Sequence, residues 1–193
     1  RIPLSLNIRP EPYERLKATI GITEKKGSSY VEVLEFLGVD IMSAGLSLRG
    51  GYLSADAEVK EGPYGPAYTI GFNKGFEVRK DIWGIHSIWA PEHTYTFTYI
   101  AHPLSSISLD DYSWPEVDQT SAESVRGLRK EHEDYCIRGG VTHLWEIAWQ
   151  LTGFPEIVRL MFTKQGIVER ILDGLHKIRM EEARLLCEGG VEI

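Results

Sequence analysis

Tyr135-Cys136-Ile137-Arg138-Gly139-Gly140-Val141-Thr142-His143-Leu144-Trp145-Glu146-Ile147-Ala148-Trp149-Gln150-Leu151-Thr152-Gly153 holds the change of pattern that decides the fold. Tyr135-Cys136-Ile137 is a short apolar run of strand type, and Gly139-Gly140 is a tight turn. Leu144, Ile147, Ala148 and Leu151 then share one face of a helix that Gly153 ends. Pro155 restarts a second helix to about Thr163. A third, Ile167 to about Glu188, lines up Ile167, Ile171, Leu175, Ile178 and Leu186 in a buried stripe. Gly189-Gly190 stops it, and Val191-Glu192-Ile193 begins the next strand. Strand, helices, strand is an α/β unit, because parallel strands need a long crossover between them.

Upstream, Arg1 to Asn7 reads as a short exposed strand. Pro10-Glu11-Pro12 then sets up a helix over Tyr13 to Ile20, ended by Gly21. A second helix covers Ser29 to Leu37, where Tyr30, Val33, Leu34 and Leu37 share a face and Gly38 caps the end. Val39 to Met42 is a short strand. Between Gly45 and Tyr99, glycines and prolines separate short runs of Val, Ile, Thr, Tyr and Trp, the pattern of hairpins. The strands expected there are Glu77 to Lys80, His86 to Trp89 and Thr94 to Ile100. His102 to Pro115 is a connector, with Ser108 as N-cap of a single turn. No repeat, low-complexity tract or linker divides the chain. The expectation is one domain over residues 1–193, unfinished where it stops in a buried strand.

Among the 193 residues, 21 Lys and Arg face 28 Asp and Glu, a net charge of −7. The longest basic run is Lys25-Lys26, which argues against a nucleic-acid partner. No apolar stretch approaches the roughly 20 residues that span a bilayer, and Arg1 to Leu6 is too short for a signal-peptide core. The expectation is therefore a cytoplasmic protein with no membrane partner. Cys136 and Cys187 lack metal-site spacing and read as two free buried thiols.

Candidate chemistry gathers where strands end, since α/β folds bind ligands there. Arg138, Gly139 and Gly140 are candidate substrate- or cofactor-binding residues. The glycines let backbone approach a ligand, or they only turn strand into helix. His143 and Glu146, three apart on a helix, are the candidate catalytic pair; the alternative is a cap, with Glu146 reaching back to the helix start. Trp145 and Trp149 are a core pair or an aromatic wall beside a ligand, and Trp149 is retained as a candidate binding residue. Asp81-Ile82-Trp83-Gly84-Ile85-His86 reads as a hairpin with a buried tryptophan. His93 and His102 flank an aromatic strand without the spacing of a metal site, so no metal ligand is assigned. Arg129 to Asp134 reads as a solvated helix end. There is no nucleophile elbow, P-loop or zinc-hydrolase motif.

Four stretches in order resemble landmarks of the uroporphyrinogen decarboxylase (URO-D) superfamily: Arg1-Ile2-Pro3-Leu4-Ser5-Leu6, Asp81-Ile82-Trp83-Gly84-Ile85, His102-Pro103-Leu104 leading to Leu109-Asp110-Asp111-Tyr112-Ser113-Trp114-Pro115, and Gly139-Gly140 with Leu144 to Phe154. The resemblance implies a (β/α)₈ TIM barrel of URO-D type, of which this chain is about the first half, with a hairpin-rich insertion over residues 45–100. The superfamily contains tetrapyrrole decarboxylases and zinc-dependent methyltransferases that exchange methyl groups with a corrinoid (cobalamin-type) cofactor on a partner protein. Its zinc ligands belong to the later half of the barrel, so no residue here inherits that role. Zinc and corrinoid are implied only for a longer protein, and no cofactor is identifiable in this chain.

Departures from the pattern favour the methyltransferase branch or the superfamily's uncharacterised bacterial members over true decarboxylases. After the first strand only Arg9 stands where decarboxylases carry an arginine-rich loop. Ser43-Ala44-Gly45-Leu46-Ser47 lacks their essential Asp, and Trp149 replaces a tyrosine. Segments near Gly27 and Gly127 are compressed. The leading expectation is methyl transfer between a small methylated substrate and a corrinoid, with a corrinoid protein as partner. The alternatives are a non-catalytic half-barrel that binds a partner or forms a homo-oligomer and, third, tetrapyrrole decarboxylation.

Overall fold

In chain order the elements are α1 (Pro10–Ile20), α2 (Ser29–Leu37), β1 (Ile41–Ser43), β2 (Leu48–Gly50), β3 (Lys60–Gly62), β4 (Gly65–Asn73), β5 (Phe76–Asp81), β6 (His86–Trp89), β7 (Phe97–Ala101), a 3-10 turn (Pro103–Ser105), β8 (Pro115–Val117), α3 (Ser121–Glu131), β9 (Cys136–Arg138), α4 (Leu144–Thr152), α5 (Phe154–Thr163) and α6 (Gln165–Glu188). The computed structural model describes all residues except 1, 9, 23–28, 63, 90–96, 142 and 193. The chain is thus a mixture of helix and sheet, and it divides into two compact units. The first is 1–45, 122–140 and 186–193; the second is 46–121 and 141–185. No helix among the described residues is long and apolar enough to cross a membrane.

In the first unit, four chain segments lie side by side in their order along the sequence. Ser5 bridges Ile41 in parallel, and Leu4 O accepts from the N–H groups of Asp40 and Ile41. β1 pairs with β9 in parallel, Ile41 to Cys136 and Ser43 to Arg138. On the far side of β9, Glu192 N–H donates to Ile137 O at 2.9 Å, and Glu192 Oε2 accepts from Ile137 N–H at 2.7 Å. Leu34, Val39, Met42 and Ile137 are buried over these segments, each contributing about 1.5–3 kcal/mol by leaving water. α2 ends where expected: Gly38 takes φ +64°, a left-handed conformation that costs glycine little, and lets Val39 N–H reach Leu34 O at 2.9 Å.

Two expectations fail here. Of the expected strand Arg1 to Asn7, residue 1 lies outside the described residues and residues 2–7 form a lone bridge at Ser5 rather than a strand, because among the described residues the pairing with Asp40 and Ile41 engages Leu4 and Ser5 alone. The cysteines are free but not buried: Cys187 is exposed and Cys136 half-buried. Arg129 is also more than part of a solvated end. Half-buried, it donates to the carbonyls of His132, Glu133 and Tyr135 and sits 3.4 Å from Glu192.

The second unit is built on a five-stranded antiparallel sheet in the order β3-β4-β5-β6-β7, a run of hairpins, beside the antiparallel pair β2 and β8. β6 falls where expected, but β4, nine residues long, was not anticipated; Gly65, Pro66 and Gly71 interrupt its pattern, and it bulges between Thr69 and Gly71. Residues 94–96 of the expected Thr94 to Ile100 strand lie outside the described residues, and β7 covers its remainder. Ser108 caps a single turn as expected: its Oγ and its carbonyl both accept Asp111 N–H, at 3.3 and 3.2 Å, and a separate 3-10 turn lies earlier, after His102. α4, α5 and most of α6 complete this unit, with Ile147, Leu151, Ile157, Ile171 and Leu175 fully buried.

Candidate functional site

In the first unit, parallel pairing brings the carboxyl ends of β1 and β9 to one edge, where Arg138 Nη2 donates to Ser43 Oγ at 3.4 Å. Tyr30, in the first turn of α2, has its phenol raised by burial and by nearby Tyr13, while the Arg138 guanidinium pulls it down. The Tyr13 and Tyr30 rings are 6.4 Å apart, and Lys17 Nζ stands 5.1 Å over the Tyr13 ring. This edge offers a cation, a hydroxyl and phenols. A side chain on Gly139 would place its Cβ 3.0 Å from Leu186 and 3.1 Å from Val191, so these two side chains would have to give by a few tenths of an ångström. Gly140 has open space around it.

The second unit holds a denser polar and aromatic set around α4. His143 precedes the helix in the left-handed region at φ +66°, and its Nδ1 is 3.8 Å from Glu146 Oε2, both side chains about half exposed. That separation is an ion-pair distance rather than a hydrogen bond. The His143 ring meets Tyr64 edge-on at 5.3 Å, Tyr64 stacks with Tyr99 at 6.3 Å, and Tyr99 meets Trp149 edge-on at 5.7 Å. Trp149 then abuts Phe154 at 6.0 Å. Trp145 is one of the exposed large apolar residues, so the two tryptophans do not form a pair in the core.

Gln150, fully buried, ties this set together. Its Nε2 donates to the Tyr64 hydroxyl at 2.9 Å and its main-chain carbonyl accepts from His102 Nδ1 at 2.7 Å, while its Oε1 has no partner among the described residues. Because a carbonyl only accepts, the proton of His102 is on Nδ1. The Tyr99 hydroxyl is hydrogen-bonded to Tyr64 and Gln150, and burial raises it far above a free phenol.

Behind this set lies the Asp81-to-Ile85 turn. Asp81 Oδ1 accepts the N–H groups of Trp83 at 3.0 Å and Ile85 at 2.9 Å, and Oδ2 has no partner among the described residues. Burial pushes the carboxyl up to about 7 against the pull of these N–H groups. Trp83 is fully buried, as expected; its Nε1 donates to Tyr64 O at 2.9 Å, and Arg179 lies 5.5 Å over its ring. The turn therefore sets the position of Tyr64 and lies in the interior, not in a surface hairpin.

Of the candidates read from sequence, Arg138, Gly139 and Gly140 belong to the first unit, and His143, Glu146 and Trp149 to the second. His93 lies outside the described residues. Tyr64, Tyr99 and Gln150 were missed, although a glutamine among Ile147, Ala148 and Leu151 was a visible signal. Among the described residues no group of three or more His, Cys, Asp or Glu side chains could hold a metal ion. No family model, curated protein or solved structure matches the chain.

Proposed function

We propose that this chain contributes the opening strands of a (β/α)₈ barrel of URO-D type and that its function is methyl transfer between a small methylated substrate and a corrinoid carried by a partner protein. One observation carries the reading: Leu4-Ser5, β1, β9 and Glu192 adjoin in chain order, the arrangement in which a barrel is wound. The resemblance of the four sequence landmarks supports the family. Ser43-Ala44-Gly45, with no carboxylate at the end of β1, favours the methyltransferase branch over tetrapyrrole decarboxylation.

Among the described residues no group of His, Cys, Asp or Glu side chains fits a zinc ion. The corrinoid is the co-substrate that takes or gives the methyl group. The chain's part is to hold the small substrate and manage one proton. The heteroatom that loses a methyl group gains a proton, and the one that receives it gives a proton up. His143, with Glu146 nearby, is the exchanging group; Trp149, Tyr99 and Tyr64 form an aromatic wall suited to a small apolar or cationic body. Gln150 Oε1, the unpartnered acceptor, suits a substrate N–H or O–H. At the strand ends of the first unit, Arg138 offers its guanidinium, beside Gly139 and Gly140, to an anionic group.

The test supplies chemically reduced free cobalamin and a panel of methylamines, methyl thioethers and methoxyarenes, and follows methylcobalamin by absorbance. Formation that scales with protein and falls at least tenfold in His143→Gln supports the reading. Absence of transfer across the panel, or release of carbon dioxide from uroporphyrinogen, contradicts it.

A further inference from the structure

We infer that the second unit carries a separate binding pocket for a small monocarboxylate with a short aliphatic tail, independent of the proposed methyl-transfer residues. A cavity of about 350 Å³ lies among the 3-10 turn, the 107–110 segment, α5 and the start of α6. That volume is at the lower end of small-molecule sites. Its apolar lining comes from Leu104, Ile107, Leu160, Ile167 and Ile171, of which Leu160 and Ile171 are buried.

The charges on the wall select the head group. Arg159 is neutralised by Glu156 through Nε at 2.8 Å and Nη2 at 2.6 Å, and Arg170 pairs with Asp110. Lys164 also lines the cavity; its charge acts on Glu156, but among the described residues its ammonium makes no ion pair within 4 Å and no hydrogen bond. Three cations against two carboxylates leave one positive charge. Lys164 stands between α5 and α6, where the negative end of one helix adjoins the positive end of the other, so the surplus charge of the wall rather than a helix end selects the head group. A single anionic head at Lys164 with an aliphatic tail over Leu160 and Ile171 satisfies both features. A dianion leaves charge unmatched, and an amine meets Lys164 with like charge.

The experiment is a titration of the ¹⁵N-labelled chain, followed by amide shifts, with octanoate, octylamine and octanol as probes. Octanoate is expected to saturate with shifts centred on residues 104–110 and 157–171 and to bind at least tenfold more tightly than octylamine or octanol. Lys164→Glu should weaken octanoate at least tenfold, and Lys164→Arg should stay within threefold of the parent. Lys164 is exposed, and thermal melts of both variants confirm folding. Equal affinity for octanoate and octylamine, unchanged octanoate affinity in Lys164→Glu, or no saturable shift up to 20 mM octanoate would overturn the pocket. Methyl transfer by Lys164→Glu is expected to match the parent, so a failure of this inference is separate from a failure of the functional proposal.

Discussion

Gln150 Nε2 and the Tyr64 hydroxyl, 86 positions apart in sequence, lie 2.9 Å apart, and this bond, with those of Gln150 to Tyr99 and His102, ties α4 to the segments that carry the aromatic residues. Removing one partner of a buried hydrogen bond leaves the other unsatisfied, which costs more than the bond itself. Tyr64→Phe should therefore destabilise the protein by about 1–3 kcal/mol in urea unfolding. Gln150→Met, which also removes the unpartnered Oε1, should cost less. A larger loss in Gln150→Met than in Tyr64→Phe would show that the amide rather than the phenol anchors the set.

Asp81 makes stability pH-dependent in a defined window. Its folded-state value of about 7 lies above the ordinary carboxylate value of 3.8, because burial disfavours the charge. The folded state therefore holds the proton more tightly than the unfolded chain. The stability associated with the neutral form is fully present below about pH 4 and is lost as pH rises through 7. At about 1.4 kcal/mol per pH unit the whole window is on the order of 4 kcal/mol. Asp81→Asn, which keeps an oxygen for the Trp83 and Ile85 N–H groups, should flatten the fall between pH 5 and 7.5 and exceed the parent in stability at pH 8. Parallel curves for the two proteins would contradict this.

Gly174 stands in the middle of α6, where alanine ordinarily gains up to about 1 kcal/mol. Here an added Cβ would lie 2.5 Å from Trp114 Cζ2, and that rigid ring is backed by Tyr112 at 4.8 Å. Gly174→Ala should thus lose about 1–3 kcal/mol by overpacking, while Gly166→Ala, in open space near the start of the same helix, should be neutral or stabilising. Thermal unfolding of the pair distinguishes close packing from helix propensity.

Among the described residues the Arg138 side chain makes one long hydrogen bond, to Ser43. Arg138→Ala should therefore change the free energy of urea unfolding by less than about 1 kcal/mol, and a larger loss would make Arg138 a structural residue of the edge formed by β1 and β9.

How much of this was legible in the sequence depends on the range of the signal. α2 was fully legible because Val33, Leu34 and Gly38 encode it locally, and β6 because His86 to Trp89 is an uninterrupted strand-type run. The crossover rule put the 191–193 segment with the strand at 135–137, and Glu192 does adjoin β9, but it did not give β1 as the parallel neighbour on the other side. The pairing of β2 with β8 did not, since three-residue strands ending in Gly50 and starting at Pro115 carry no periodicity. The same reason hid Tyr64: it lies between Gly62 and Gly65, and its role exists only through Gln150 and Trp83. His143 and Trp149 were singled out from spacing on one helix, but the tyrosines beside them arrive from distant strands.

The most direct test of the central claim is the rate of methylcobalamin formation from reduced cobalamin and a methylated small molecule, with the parent chain and Trp149→Ala side by side. The account predicts formation that depends on the protein and falls at least tenfold when the indole that meets Tyr99 is removed. No formation with any substrate of the panel, or an equal rate in Trp149→Ala, would contradict it.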